Sequence, residues 1–302
     1  EDPDRRGRQD PRVHARGEEI HGDGAGRQAA PRVGGWGLKK GINAWAFPEA
    51  SPVDRVLKTA KRIGYDGVEL NLDEQDLELG GRERESIAEE AESLGLELPS
   101  LCSGLFWRYN LAGPDERARR RGVEILKKGC EFARDIGAKV LLVVPAVATP
   151  EVPYERMWEL ARKSISEATR KAEECGVCLG IENVWNRFLY SPLEFRRFIE
   201  EVNHPYVKAY FDVGNAQFLG FPHQWVQHLG ELIVCVHVKD FHRATMGFRP
   251  LLQGDVDWGR VMRALRRIGY DGFLNVEVPP YPGHPTKSAV DNKTSLDIVL
   301  SL

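Results

Sequence analysis

The pentapeptide IGYDG occurs twice in this 302-residue chain, at residues 63–67 and again at residues 268–272. Each copy follows an amphipathic stretch that ends in basic residues, and each precedes an apolar run that closes on a glutamate. Gly64 and Gly269 are typical of the left-handed position after a helix, where a side chain is costly. Tyr-Asp-Gly then predicts a short turn into a buried strand. Each copy therefore predicts a helix-to-strand junction.

Units of the same kind repeat along the chain. Apolar runs predict eight strands, at residues 40–44, 67–70, 96–101, 139–144, 177–181, 207–211, 232–238 and 273–278. Helical patterns follow them, at residues 52–63, 84–94, 115–136, 154–175, 192–202, 222–229, 258–268 and 288–300. Continuously apolar strands that alternate with helices are typical of a parallel sheet covered by helices. We therefore predict that residues 36–302 form a single α/β domain, a (β/α)₈ TIM barrel.

The composition limits the classes of partner and the compartment. A net charge of −3 gives no reason to expect nucleic acid or an anionic membrane as a partner. No apolar run approaches the ~20 residues of a membrane span, and five cysteines, an odd number, argue against a disulfide framework. Residues 1–35 contain arginine but no lysine and no periodic apolar pattern, so we expect a disordered extension there. The sequence predicts a cytoplasmic enzyme and leaves open whether it forms a homo-oligomer.

Four polar residues end successive predicted strands five to eight. They are Glu182, Asp212, His237 and Glu277. Chemistry in such barrels lies at the carboxyl ends of the strands. Each residue alone is more often a solvated loop residue or a helix cap, but four at consecutive strand ends predict a shared metal ion. Three carboxylates and one imidazole suit Mn²⁺, Mg²⁺ or Co²⁺ and suit Zn²⁺ less well.

The motifs that carry these residues match a known family. The segments IENVWN, YFDVGNA, HVKDFHR, GDVDW and NVEV together resemble the xylose isomerase-like barrels, and within them the sugar phosphate isomerase/epimerase branch that includes ketose 3-epimerases. The resemblance implies one divalent metal ion, with Mn²⁺ first, and a small sugar or sugar phosphate as substrate. It also implies that Arg243 contacts substrate oxygens. Asn215 and Phe188 depart from the histidine and glutamate that free-sugar 3-epimerases carry, so recognition of the far end of the sugar must differ.

The chemistry of epimerisation assigns roles to the two glutamates. Inverting a carbon beside a carbonyl needs one group that removes a proton and another that returns one on the opposite face. Glu182 and Glu277 lie on strands five and eight, and we expect them to be this pair. Asp212 and His237 would hold the ion without exchanging protons. Trp107 at the barrel mouth and Glu69 on strand two are further candidates for contact with the sugar, beside Asn215 and Arg243.

Three other functions remain open on the sequence. A dehydratase or lyase acting on a keto-sugar or keto-inositol would use the same metal site and the same proton abstraction. A phosphodiesterase of the endonuclease IV type would need more histidines at the strand ends than this chain offers. A barrel without catalytic activity is disfavoured because all four candidate ligands are present.

Overall fold

The computed structural model describes residues 37–48 and 51–302. The predicted N-terminal extension, residues 1–35, lies outside these described residues. The strands of the described part are β1 (Lys39–Asn43), β2 (Gly67–Asn71), β3 (Ser100–Cys102), β4 (Val140–Val143), β5 (Cys178–Glu182), β6 (Val207–Asp212), β7 (Ile233–Val238), β8 (Asp240–His242), β9 (Gly247–Arg249) and β10 (Phe273–Val276). Strands β1 to β7 and β10 close into a parallel barrel in chain order, while β8 and β9 form a separate antiparallel pair. The predicted TIM barrel is confirmed.

Helices cover the outside of the barrel. The α-helices of the described part are α1 (Val53–Ile63), α2 (Gly81–Ser93), α3 (Leu105–Arg108), α4 (Glu116–Asp135), α5 (Tyr154–Cys175), α6 (Pro192–Val202), α7 (Val213–Leu219), α8 (Pro222–Leu229), α9 (Trp258–Arg267) and α10 (Pro285–Ser301). Short 3₁₀ turns occur at Ala44–Ala46, Gln75–Glu78 and Gly230–Leu232. Within the described residues, no helix has both the length and the apolar sequence that crossing a membrane requires.

Both IGYDG segments form the predicted junctions. Gly64 and Gly269 follow α1 and α9 with φ angles of 98° and 71°, in the left-handed region. A side chain there would strain the backbone. The segments lead directly into β2 and β10, the second and eighth barrel strands.

The third strand begins later than the apolar pattern predicts. Leu96 and Leu98 are buried, but only a single bridge between Glu97 and Gly67 precedes the continuous strand, which begins at Ser100. Pro99 has no backbone N–H to give to a neighbouring strand, which shortens the ladder. Helix α2 begins earlier than predicted, because the Glu83 carboxylate accepts the Gly80 N–H at 2.7 Å and stabilises the first turn.

The apolar core lies between the strands and the helices. Phe211 of β6 stacks on Trp225 of α8, with ring centroids 6.4 Å apart. On β4, Leu141 packs so closely on α4 that a Cβ at Gly129 would lie 2.9 Å from its side chain. Side chains alternate along a strand, so the residue after Phe211, which is Asp212, faces the interior of the barrel. This alternation positions the candidate site.

Candidate active site

The four residues predicted as metal ligands lie together at the mouth of the barrel. Glu182 ends β5, Asp212 ends β6, His237 lies in β7 and Glu277 follows β10 directly. One candidate ligand atom from each side chain lies within 4.8 Å of the other three. The Nδ1 atom of His237 lies 3.2 Å from Glu182 Oε1, 3.8 Å from Asp212 Oδ2 and 3.7 Å from Glu277 Oε2.

Neighbouring side chains fix the position of Asp212. Its backbone N–H donates to Asn183 Oδ1 at 2.8 Å, and Asn183 Nδ2 donates to the Asp212 carbonyl at 2.9 Å. The carboxylate Oδ1 accepts the N–H of Asn215 at 2.7 Å and so caps α7, a helix that the sequence did not predict. The second carboxylate oxygen, Oδ2, remains to face His237 and the centre of the cluster.

The donor set fits a divalent cation. Three carboxylates and one imidazole are nearly all withdrawn from water, with Asp212 and His237 both 0% exposed. Carboxylates gathered in this way repel one another and lose hydration, which is costly unless a cation compensates. Oxygen-rich sets with one imidazole suit Mn²⁺ and Mg²⁺, and Co²⁺ and Zn²⁺ also accept nitrogen ligands.

The two glutamates of the cluster differ in their protonation. Burial raises the pKa of Glu182 to about 7. Burial also acts to raise the pKa of Glu277, but the charges of Lys239 and His237 outweigh it and hold that pKa below its ordinary value. Near neutral pH one carboxyl therefore exchanges its proton readily while the other stays ionised. Unequal carboxyl groups of this kind are typical of acid–base pairs.

Lys239 is a further member of the cluster, one that the sequence analysis did not place there. Its Nζ donates to Asp212 Oδ2 at 2.5 Å and also donates to Glu277. The ammonium lies 4.7 Å from the ring centroid of Phe248. The signal in the sequence was spacing, because residues two apart on a strand share a face. Lys239 therefore follows His237 towards the mouth.

Glu69, the predicted sugar contact on the second strand, lies deeper than the other candidates. It is 0% exposed and lies inside the barrel, beneath His237, with its Oε1 2.6 Å from His237 Nε2. Burial acts to raise the pKa of Glu69, but the charge and hydrogen bond of His237 outweigh it, so the net direction is downward. The side chain is not among those that line the mouth cavity.

A cavity of about 270 Å³ opens above the cluster. Its polar wall includes Glu182, Glu277 and Lys239, and the predicted substrate contact Asn215 also lines it. Trp107, another predicted contact, lines the cavity with three further aromatic residues: Trp45, Trp185 and Phe248. Apolar walls around a few convergent polar groups are typical of small-molecule sites.

Arg243 lies on the rim and is not among the residues that line this cavity. Its guanidinium donates to the carbonyl oxygens of Gln217 at 3.2 Å and Gly220 at 2.5 Å. It also lies over the ring of Phe221, 5.1 Å from the centroid. Carbonyl oxygens carry no net charge, so the guanidinium keeps its positive charge at the rim.

Asp240 joins the strand-end segment HVKD to the later segment GDVDW. This buried carboxylate accepts the backbone N–H groups of Leu252 and Val256, each at 3.1 Å, and the indole N–H of Trp258 at 2.9 Å. A Cβ at Gly254 would lie 2.2 Å from Asp240 Oδ1, so only glycine fits. The loop that follows β9 is therefore anchored directly beside Lys239.

Comparison with known proteins agrees with this geometry. A family model described as Xylose isomerase-like TIM barrel matches residues 57–297. The chain belongs to this family. The resemblance inferred from the strand-end motifs is confirmed.

Relatives of this xylose isomerase-like barrel include curated sugar phosphate epimerases. L-ribulose-5-phosphate 3-epimerase UlaE of Escherichia coli (strain SMS-3-5 / SECEC) is 27% identical over 255 residues, which cover 80% of this chain and 88% of that protein. The same figures hold for UlaE of Salmonella paratyphi B (strain ATCC BAA-1250 / SPB7).

Solved structures share the fold of this xylose isomerase-like barrel. An L-ribulose 3-epimerase matches with a TM-score of 0.75 and 21% identity, covering 87% of this chain and 95% of that one. D-psicose 3-epimerase, crystallised in the presence of D-fructose, matches with a TM-score of 0.74 and 18% identity, covering 87% and 100%. The IOLI protein with a bound zinc atom matches with a TM-score of 0.75 and 20% identity, covering 87% and 98%.

Proposed function

We propose that this protein is a metal-dependent isomerase that epimerises a ketose, free or phosphorylated, at the carbon beside its carbonyl. The observation that carries the proposal is the cluster of Glu182, Asp212, His237 and Glu277, whose ligand atoms lie within 4.8 Å of one another below a small cavity with largely apolar walls. The named activity of the UlaE relatives, 3-epimerisation of L-ribulose 5-phosphate, supports the same reaction class.

The four clustered residues would hold the ion, with Mn²⁺ as the first candidate and Mg²⁺, Co²⁺ and Zn²⁺ as alternatives. A divalent ion in this position supplies Lewis acidity, which stabilises negative charge on the substrate's carbonyl oxygen and lowers the barrier to proton removal. Asp212 and His237 serve only to bind it, since a ligating imidazole nitrogen is unavailable as a base.

Glu182 and Glu277 move the protons. They come from β5 and β10, which are separated by β6 and β7 in the barrel, so they approach the cavity from different sides. One carboxylate removes the proton from the carbon beside the carbonyl, and the other carboxyl returns a proton to the opposite face. Their roles exchange when the reaction runs in reverse.

The rim offers charge for a phosphate. Arg243 donates to backbone carbonyls, and Arg249 donates to the Phe248 carbonyl and to Thr245 Oγ1 at 2.9 Å. In the part of the chain that the structure describes, neither guanidinium has a carboxylate within ion-pair distance, so both keep positive charge for an anion. Lys239 instead lies between two carboxylates and is placed to donate to oxygens near the reacting carbon.

Solvent deuterium uptake tests the proposed reaction. The Mn²⁺-loaded protein would be incubated in D₂O with free and 5-phosphorylated ketopentoses, and the products followed by ¹H NMR. We expect deuterium at the inverted carbon of both epimers. Loss of water from the labelled sugar would favour the dehydratase or lyase alternative. If no ketose exchanged a proton with solvent, the proposed function would be wrong.

We predict that the protein binds about one divalent ion per chain, as a single cluster of this donor type holds one ion. His237→Ala removes the imidazole ligand and should abolish stoichiometric binding, which elemental analysis after gel filtration would measure. His204→Ala is the matched control, since His204 lies near Glu173, away from the cluster. Equal metal content in the two variants would contradict the assigned site.

Metal binding should also release protons. Burial raises the pKa of Glu182 to about 7, so at pH 6 the metal-free protein holds a proton there, and a bound cation favours the ionised carboxylate. Binding at pH 6 therefore expels this proton, and affinity should rise as the pH increases through 7. Titration calorimetry in two buffers of different ionisation enthalpy measures the protons released. An affinity that fell with rising pH would oppose this expectation.

A further inference from the structure

A network of buried polar side chains lies beneath His237, inside the barrel. Its centre is Glu69, whose carboxylate is in contact with four side chains: Asn43, Ser100, Tyr210 and His237. All four side chains belong to residues that are 0% exposed. A carboxylate this deep is costly to ionise unless each oxygen accepts hydrogen bonds.

The neighbours of the network determine the direction of its hydrogen bonds. The Oδ1 atom of Asn43 accepts the Trp45 N–H at 2.7 Å, so its Nδ2 must be the group that donates to Glu69 Oε1 at 2.6 Å. Ser100 Oγ donates to Glu69 Oε2 at 2.6 Å, and the Tyr210 hydroxyl donates to the same oxygen.

The amide of Asn275 fixes the two hydroxyls. Its Nδ2 donates to Tyr210 Oη at 2.8 Å and to Ser100 Oγ at 3.2 Å. Each hydroxyl oxygen thus accepts from Asn275, and its own hydrogen is left to point at Glu69. The carboxylate therefore acts only as an acceptor, towards His237 as well.

This determines which nitrogen of His237 carries a hydrogen. Nε2 lies 2.6 Å from Glu69 Oε1 and must donate to it, so the N–H is on Nε2. Nδ1 is therefore the ring nitrogen that can give a lone pair to an ion, and it faces Glu182, Asp212 and Glu277. We propose that Glu69 is a positioning residue that holds His237 as an Nδ1 metal ligand, and that it does not contact the sugar. The inference rests on the proposed metal site and not on the sugar reaction.

Glu69→Gln tests this role. The substitution keeps the size of the side chain but replaces the anionic acceptor with a neutral amide. Partners of this type, which orient a metal-bound histidine, typically change metal affinity by about 10–100-fold when mutated. We expect a loss of Mn²⁺ affinity in that range, measured by the electron paramagnetic resonance of free Mn²⁺, together with an altered visible spectrum of the Co²⁺-loaded variant.

Tyr210→Phe is the matched control. It removes a hydrogen bond from the same carboxylate without removing the acceptor of His237. If Glu69 only filled and stabilised the barrel interior, both variants would lose stability and Mn²⁺ affinity together. We expect Tyr210→Phe to retain most of the Mn²⁺ affinity, while the thermal stability of both variants decreases. Equal Mn²⁺ affinities of Glu69→Gln and the unmodified protein would overturn the inference. Equal losses of Mn²⁺ affinity in Glu69→Gln and Tyr210→Phe would also overturn it.

A measurement on the unmodified protein keeps the test decisive if Glu69→Gln fails to fold. Long-range ¹H–¹⁵N spectra of the Zn²⁺-loaded, ¹⁵N-histidine protein should show His237 protonated at Nε2 and ligated through Nδ1. The reverse arrangement would overturn the role of Glu69. Absence of any bound ion in the unmodified protein would instead overturn the metal site itself, so the two failures are distinguishable.

Discussion

Glu182→Gln and Glu277→Gln should each lower turnover of the ketose substrate by about 10²–10⁴-fold, the range that loss of a general acid or base typically costs. Glutamine keeps the length of the side chain and one oxygen ligand but cannot take up a proton. Metal affinity should fall much less than turnover, because Asp212 and His237 remain. Steady-state kinetics at saturating Mn²⁺, with the metal content of each variant measured in parallel, would separate the two effects.

The two glutamine variants should differ from one another. With a substrate of one configuration, one carboxylate removes the proton and the other returns it on the opposite face. The variant that keeps the first base should therefore still exchange its substrate C–H with deuterium while failing to invert the carbon. The other variant should do neither. With the epimeric substrate this pattern should reverse, which a purely structural effect of the substitutions would not produce.

Glu74→Gln is the matched control for these variants. Glu74 is hydrogen-bonded to Arg108 at 3.0 Å and to Tyr109 at 2.6 Å, and it is not among the residues that line the cavity. Its substitution should leave turnover nearly unchanged. Normal turnover by both Glu182→Gln and Glu277→Gln with metal present would reject the two-base reaction.

The architecture was accessible from the sequence because the barrel strands are buried on both faces. The sequences of such strands are continuous apolar runs. Glycines in the left-handed conformation, such as Gly64 and Gly269, show where the preceding helices end. The exact boundaries of the strands and helices were harder to predict. Nothing local shows that the segment around Leu96 and Leu98 forms only a single bridge, since that depends on pairing with strands distant in the chain. Helix α7 was missed because its N-cap is Asp212, which the sequence analysis considered only as a ligand.

Only those residues of the candidate site that end a strand could be predicted from the sequence pattern. Glu182 and Asp212 stand where apolar runs stop, and the closed barrel necessarily brings such ends together. Glu69 belongs to a deeper layer, and its contact with His237 joins positions 168 residues apart, so no local pattern could show it. Arg243 was assigned to the substrate by the family resemblance, but its guanidinium donates to carbonyl groups at the end of α7.

Lys239 supplies positive charge that balances the carboxylates of the metal-free site. The residue is 7% exposed, and its ammonium compensates Asp212 and Glu277, two carboxylates that the proposed ion would also bind. The ammonium and the ion therefore act on the same negative charge. The ammonium should therefore weaken binding of the ion, and the ion should reduce the stabilisation that the ammonium supplies, because such coupling within one site is reciprocal.

Lys239→Met should consequently destabilise the metal-free protein strongly, by the ~3–5 kcal/mol that breaking a buried ion pair from one side typically costs. Methionine keeps the length and the apolar stem but leaves the two carboxylates without a cation. Mn²⁺ should then raise the melting temperature of the variant more than that of the unmodified protein, since the ion replaces the missing charge. Lys287→Met is the matched control, because Lys287 pairs with Asp291 on the surface, where solvent screens the charges. This substitution should leave the melting temperature nearly unchanged, both with chelator and with Mn²⁺. Thermal scans with chelator and with Mn²⁺ measure both effects. An equal Mn²⁺-induced increase in the variant and the unmodified protein would show that Lys239 and the ion do not share these carboxylates.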